Sequence, residues 1–224
     1  SVYNGDEVNV LFTGDYNNKN SFLDTVDLPN WVYDLKNLTI VIESTYGTTD
    51  SSQVESVWEE NIIRACNDNK SILIPCFAQG RYQEILYRLK CLQKQKSIPN
   101  NYIILADGKS GIKYSFNYLQ NKKLGIKNDM RNFLPDDIQF VASKTRPSFL
   151  HYPENKIIVT TSGMGNFGPA RIYIPEMLSS NNAVIHFSGY TAEGTLGRKL
   201  QELEYGEPIS LNGITVPKRA KVLN

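Results

Sequence analysis

Short apolar bursts alternate along this chain with longer amphipathic stretches, and that alternation leaves few ways to fold. Strands are expected at residues 7–13, 38–43, 71–75, 102–106, 138–142, 156–161 and 183–188. Helices are expected between several of them. One starts at Ser52, where Ser52 and Glu55 have capping-box spacing and Val54, Val57, Trp58, Ile62 and Ala65 mark one buried face. A second covers about Gln79 to Gln95, with Tyr82, Ile85, Leu86, Leu89 and Leu92 on one side. Shorter helices fit 110–121, 170–179 and 195–203. Apolar strands alternating with helices predict an α/β fold, a mainly parallel sheet flanked by helices on both faces. From Pro208 onward, Ile209, Leu211, Ile214, Val216 and Val222 suit short β segments turning at Asn212-Gly213.

The first two strands stand apart. Residues 1–47 supply two strands and a loop, too little to fold alone. A boundary near Thr48 is therefore expected, with the remaining chain forming one domain with a sizeable core. The first segment is expected to be the last part of another domain, and the sequence to be a piece of a longer protein.

Net charge is +1, so anion binding must come from local clusters rather than a global field. Cys66, Cys76 and Cys91 are odd in number and widely spaced in apolar or helical contexts. They suit reduced core thiols, which predicts a cytoplasmic or nuclear protein. No apolar run approaches the roughly 18 residues of a membrane span, so no membrane partner is expected. With only His151 and His186, the chain lacks the histidines of a self-contained zinc site. His186 falls within a strand and His151 in a proline-flanked loop, and both are expected to be packed or solvated residues.

Two acids close apolar strands: Asp15 after Val8–Gly14, and Glu43 after Leu38–Ile42. The C-terminal edge of a strand is where open α/β sheets build their sites, although such acids also cap ordinary turns. Three strand–glycine loop–helix junctions follow: Phe77–Arg81, Thr160–Pro169 and Phe187–Arg198. Glycines there let backbone N–H groups approach a ligand, and a helix N-terminus favours an anion. Arg81 and Arg198, each at the start of a helix, are candidates for bidentate phosphate contacts or plain surface residues. Lys122-Lys123 and Lys218-Arg219-x-Lys221 are basic clusters of the kind that usually form solvated faces. Tyr46, Tyr190 and Phe167 are candidates to stack on bases.

In order, these segments resemble the β-CASP branch of the metallo-β-lactamase superfamily, nucleases that process RNA and in some branches DNA. Thr13-Gly14-Asp15 resembles the family's TGD motif, and Glu43-Ser44-Thr45-Tyr46-Gly47 its acidic motif at the start of the β-CASP insertion. Phe77-Ala78-Gln79-Gly80-Arg81 with Gln83-Glu84 is similar to its FAxGRxQE helix start, and Ser162-Gly163-Met164 and Gly189–Gly197 to two later segments. The closest similarity is to the branch of 3′-end-processing endonucleases. The family's HxHxDH motif and later histidine motifs have no counterpart in the sequence, and Asp107-Gly108-Lys109 stands where relatives read Asp-Ser-Pro.

The resemblance implies that 1–47 is the C-terminal part of a metallo-β-lactamase half-domain, a partial αββα segment, and that 48–224 is the β-CASP domain. For the intact protein it implies zinc-dependent hydrolysis of RNA phosphodiester bonds, with RNA favoured over DNA. Asp15 would bridge two zinc ions and Glu43 would act catalytically beside them. Arg81, Ser162, Gly163, Gly189 and Arg198 would contact the RNA backbone, with the β-CASP domain as lid and wall of the cleft. No zinc is expected in this segment alone, which would be inactive by itself. A homodimer or association with processing-complex subunits stays open. The alternative is an inactive paralogue serving as scaffold or RNA-binding subunit; a hydrolase of a small substrate is disfavoured by the full insertion domain.

Overall fold

The structure, a computed structural model, describes residues 2–3, 6–15, 22–25, 27–44, 54–121, 125–127, 130–151 and 155–224. The Ser52 cap, Tyr46, Lys122-Lys123 and the boundary at Thr48 lie outside the described residues, as does the side chain of Val54.

At the N-terminus, β1 (Val2–Tyr3) and β2 (Asp6–Glu7) form a small antiparallel pair. Then β3 (Asn9–Phe12), α1 (Asn30–Tyr33) and β4 (Leu38–Val41) follow, with β3 and β4 paired in parallel. From α2 (Val54–Asn67) the chain alternates: β5 (Ser71–Pro75), α3 (Arg81–Lys94), β6 (Ile103–Asp107), α4 (Lys109–Gln120), β7 (Gln139–Val141), α5 (Arg146–Leu150), β8 (Lys156–Thr160), α6 (Ala170–Leu178), β9 (Ala183–His186) and α7 (Leu196–Glu202). A hairpin of β10 (Pro208–Leu211) and β11 (Ile214–Pro217) comes next, and β12 (Lys221–Leu223) last. Asn212 and Gly213 turn the hairpin with φ of 52° and 81°, the double positive φ that an Asn-Gly pair favours.

Six strands form one sheet in the order β12-β9-β5-β8-β6-β7, every neighbour parallel. Alternate side chains point to opposite faces, so each strand feeds two cores. Ile72, Ile74, Ile157 and Val159 pack with Ile62, Ile85, Leu86 and Leu89 of α2 and α3. Leu73, Ile158 and Ile185 pack on the other face with Tyr173, Ile174, Leu178 and Leu200 of α6 and α7. Helices on both faces are what a parallel sheet of near-continuous apolar strands requires. Within α2, Trp58, Ile62 and Ala65 are buried but Val57 is 48% exposed, which narrows the expected apolar face. The tail forms the expected short β segments, of which β12 is an edge strand of the main sheet.

Candidate functional site

Because every strand of the sheet points the same way, the loops after β5, β6, β7, β8 and β9 all emerge at one edge. At the centre, β5 leads to α3 on one face while its neighbour β8 leads to α6 on the other. Divergence of adjacent loops opens the crevice in which open α/β sheets bind ligands.

Short backbone contacts interlock the three glycine loops. Cys76 N–H donates to Thr160 O at 2.9 Å, and Ser188 Oγ to Pro75 O at 3.1 Å. Gly197 N–H reaches Met164 O at 2.9 Å, and Leu196 N–H reaches Asn166 Oδ1 at 2.7 Å. Gly163 sits where the β8 loop presses on the β5 loop, and a Cβ there would stand 3.0 Å from Phe77 N. Gly168 combines a φ of +64° with a close approach, its Cβ position lying 2.9 Å from Thr161 O. Part of the glycine content is thus explained by packing alone.

Helix N-termini are less available than expected. In α7 the first amides go to Asn166, Met164 and the capping Thr195 Oγ1. In α6 those of Ala170, Arg171 and Ile172 go to Thr161, Gly168 and Pro169 carbonyls. These donors are consumed internally, so α6 and α7 do not present the free first-turn amides that anion capture needs. Among the described residues, the amides of Gly163 and Gly189 have no such partner.

Arg81 ion-pairs with Glu84 at 2.8 Å with its side chain 44% exposed. Arg198 Nε lies 3.7 Å from Glu202 and makes no hydrogen bond. Both stand at helix starts on the crevice edge. Ser162 closes its own loop, its Oγ accepting Phe167 N–H at 3.2 Å. Around them Phe77, Phe167 and Tyr190 expose 49%, 74% and 56% of their surface, one on each of three neighbouring loops. Phe77 was placed in its loop by sequence but not among the stacking candidates.

Four residues take structural roles that the sequence did not assign them. Gln83, fully buried, accepts Gly80 N–H and donates to Ala78 O, Gly111 O and Ser115 Oγ, tying the β5–α3 loop to α4. At the end of β6, buried Asp107 receives a bidentate pair from Arg146, at 2.6 and 3.0 Å, and Tyr173 Oη at 2.8 Å. The hydrogen bond to Asp107 holds the Arg146 guanidinium further into its charged form, while burial, then the Asp107 charge, pushes the Tyr173 phenol well up. Asp107 thereby pins α5 and α6 beneath the loops. No spacing rule links residues 107, 146 and 173.

Burial raises the Cys76 thiol far above its ordinary range, so this cysteine beside the crevice is no nucleophile. Burial lowers His186 to about 4, with its ring against Trp58 and Nε2 3.4 Å from Asn61 Nδ2. His151 is exposed.

Asp15 and Glu43 follow neighbouring strand ends, one residue out of register. Phe12 pairs with Val41 and Thr13 N–H donates to Val41 O at 3.1 Å, so both acids follow adjacent strand ends. Asp15 is exposed and Glu43 half-buried. Among the described residues no group of three His, Cys, Asp or Glu is placed to hold a metal.

The Beta-Casp domain model matches residues 82–200, the span from α3 to α7 that builds the crevice. The chain belongs to the Beta-Casp family. Beta-Casp relatives agree with that placement. An RNase J-like protein of Methanocaldococcus jannaschii is 31% identical over 220 residues, covering 86% of this chain and 46% of the relative. The transcription termination factor FttA of Methanosarcina mazei is 28% identical, over 87% of this chain and 32% of its own. Endoribonuclease ysh1 of Schizosaccharomyces pombe is 28% identical, over 96% and 29%. The Beta-Casp chain thus spans less than half the length of these relatives. Among its described residues no helix is long and apolar enough to cross a membrane.

Proposed function

We propose that this chain is the RNA-binding lid and wall of a metal-dependent nuclease that hydrolyses RNA phosphodiester bonds. The observation that carries the reading is the C-terminal sheet edge, where three interlocked loops hold Phe77, Phe167 and Tyr190 out to solvent. Stacking surfaces beside cations suit a single strand, whose bases all offer a π-face. Relatives named as an endoribonuclease and an RNase J-like protein support RNA as the polymer. Gly163 and Gly189 would donate amides to the phosphates, and Arg81, Ser162 and Arg198 would line the backbone path.

The catalytic acids would be Asp15 and Glu43, on the 1–47 segment that would belong to a metallo-β-lactamase half-domain. Their donor set matches only part of a zinc centre. Two carboxylates on adjacent strand ends fall short of the three nitrogen, sulfur or oxygen ligands a catalytic zinc takes from protein. A zinc pair would need ligands from outside this sequence, so no catalytic step is assigned to it here. Asp15 would contribute one ligand, and Glu43 would orient a neighbouring group or move a proton.

The exposed apolar strands support the domain reading. Phe12, Ile40, Val41 and Ile42 are 72%, 52%, 45% and 57% exposed, more than a free-standing two-stranded sheet sustains. The test is cleavage of end-labelled RNA by the complete protein, with and without chelator. Asp15→Ala should abolish cleavage and leave RNA binding largely intact; undiminished cleavage would remove its metal role. RNA binding without cleavage in the wild type would favour the scaffold alternative.

A further inference from the structure

A cavity of about 150 Å³ opens at the opposite edge of the sheet, below the starts of β5, β9 and β12. Arg64, Lys70, Arg219 and Lys221 line it, with Asp68 the single carboxylate and Asn181 beside them. In a chain whose net charge is +1, four cations around one acid is a local excess. Neighbouring groups account for part of it. Arg64 lies in the last turn of α2, where a cation complements the helix dipole, and Lys70 Nζ donates to Asn181 O at 2.8 Å. Arg219 and Lys221 have no such explanation. Both are exposed, and among the described residues neither has a carboxylate within ion-pair distance or a side-chain hydrogen bond.

Their positions are set by the backbone. Arg219 and Ala220 N–H both donate to Leu178 O, at 2.8 and 3.0 Å, which anchors the turn before β12 against the end of α6. Lys221 then pairs in register with Val184. Two cations on an anchored turn face two more across a concavity, so holding them together costs little side-chain ordering beyond what the fold supplies. Four cations around one carboxylate suit a phosphate group, which several N–H donors can share.

We propose that this cavity is a second phosphate-binding site, taking a backbone phosphate of the RNA strand outside the catalytic cleft. The assignment rests on the nuclease reading above. The five-residue β5 separates the two edges by roughly 16 Å at the usual rise per residue. The edge strand β12 lies along the way, so a strand longer than the cleft could reach the cavity by passing round that side of the sheet. The site would thus favour long over short RNA without touching the chemistry.

The test uses the complete protein and its Arg219→Glu/Lys221→Glu variant, both positions being exposed and outside the crevice. Binding is measured for a short oligouridylate that fills only the cleft and for the same RNA with a long extension, with RNA integrity checked on a gel. The variant should lose about tenfold for the extended RNA and nothing for the short one. Its log affinity against log salt should flatten by about 1.4 for two lost single-strand contacts. Equal loss on both RNAs would overturn the proposal, since charge would then act through the general field. No loss on either would overturn it as well. Calorimetry with inorganic phosphate separates the sources: phosphate binding that the variant abolishes, without any length effect, would make this a site for a free phosphate and overturn the RNA assignment. A wild-type protein that binds neither RNA would defeat the nuclease reading and this proposal together, whereas one that binds both RNAs equally well would defeat this proposal alone.

Discussion

Two parallel strand pairs in this molecule have nearly the same sequence character and opposite environments. β5 and β8, at the centre of the sheet, bury Ile72, Leu73, Ile74, Ile157, Ile158 and Val159 completely. β3 and β4 expose Val10, Phe12, Ile40 and Val41 by 44–72%. Strand pattern is therefore no measure of burial. The difference lies in the helices: α2, α3, α6 and α7 cover both faces of the first pair, and nothing comparable among the described residues covers the second. The pair that ends in Asp15 and Glu43 carries apolar surface suited to a further layer.

The largest effect should come from the centre. Ile74→Ala is expected to cost about 2–5 kcal/mol, because a fully buried side chain leaves a cavity, while Ile40→Ala should cost less than about 0.5 kcal/mol in this chain alone. Urea denaturation of both variants measures the gap. Repeating Ile40→Ala in the complete protein sharpens the contrast: a cost rising to about 2 kcal/mol or more would mean that another layer covers β4. An unchanged small cost there would break the domain reading.

The polar anchor at the end of β6 should matter to a similar extent. Asp107→Ala leaves the Arg146 guanidinium and Tyr173 hydroxyl without their shared acceptor, at an expected cost of about 3–5 kcal/mol. Denaturation should show this loss, and RNA affinity should fall as the loops above α5 and α6 loosen. A cost near zero would mean that Arg146 finds another partner.

His186 gives a pH-dependent form of the same contrast. Its folded pKa lies near 4, below the ordinary 6.5, because burial opposes the charged ring. The unfolded chain therefore binds the extra proton first as pH falls. Stability should be complete above about pH 6.5, decline between 6.5 and 4, and level off below, by up to about 3 kcal/mol from this residue. Urea titrations at pH 7 and pH 4.5 measure it, and His186→Asn should flatten that part of the profile. β3 and β4 contain no histidine and should contribute no such slope.

A more modest effect is expected at the loop contact. Gly163→Ala should cost about 1–3 kcal/mol, because its methyl group meets Phe77 backbone at 3.0 Å, and should weaken RNA binding by moving the Phe77 loop. Thermal denaturation and RNA binding of that variant check both halves.

Much of this molecule was legible before the structure. The main strands and helices fall where apolar periodicity puts them, the short β1, β2, α1 and α5 being additions it did not mark, and parallel topology follows from their alternation, because parallel neighbours need helical crossovers. The Asn212-Gly213 turn was visible from its two residues. The acids Asp15 and Glu43 were visible as strand ends, and β3–β4 pairing makes those ends neighbours. Tertiary structure decided which glycines serve packing and that the first amides of α7 are already used by Asn166 and Met164. It also supplied the Asp107–Arg146–Tyr173 anchor and the cation cluster of Arg64, Lys70, Arg219 and Lys221. The physical reason is one of range. Periodicity, capping and turn chemistry act over a few residues and leave their mark in the local sequence. Hydrogen bonds between loops and charges gathered from three elements depend on strand order, which no local pattern encodes.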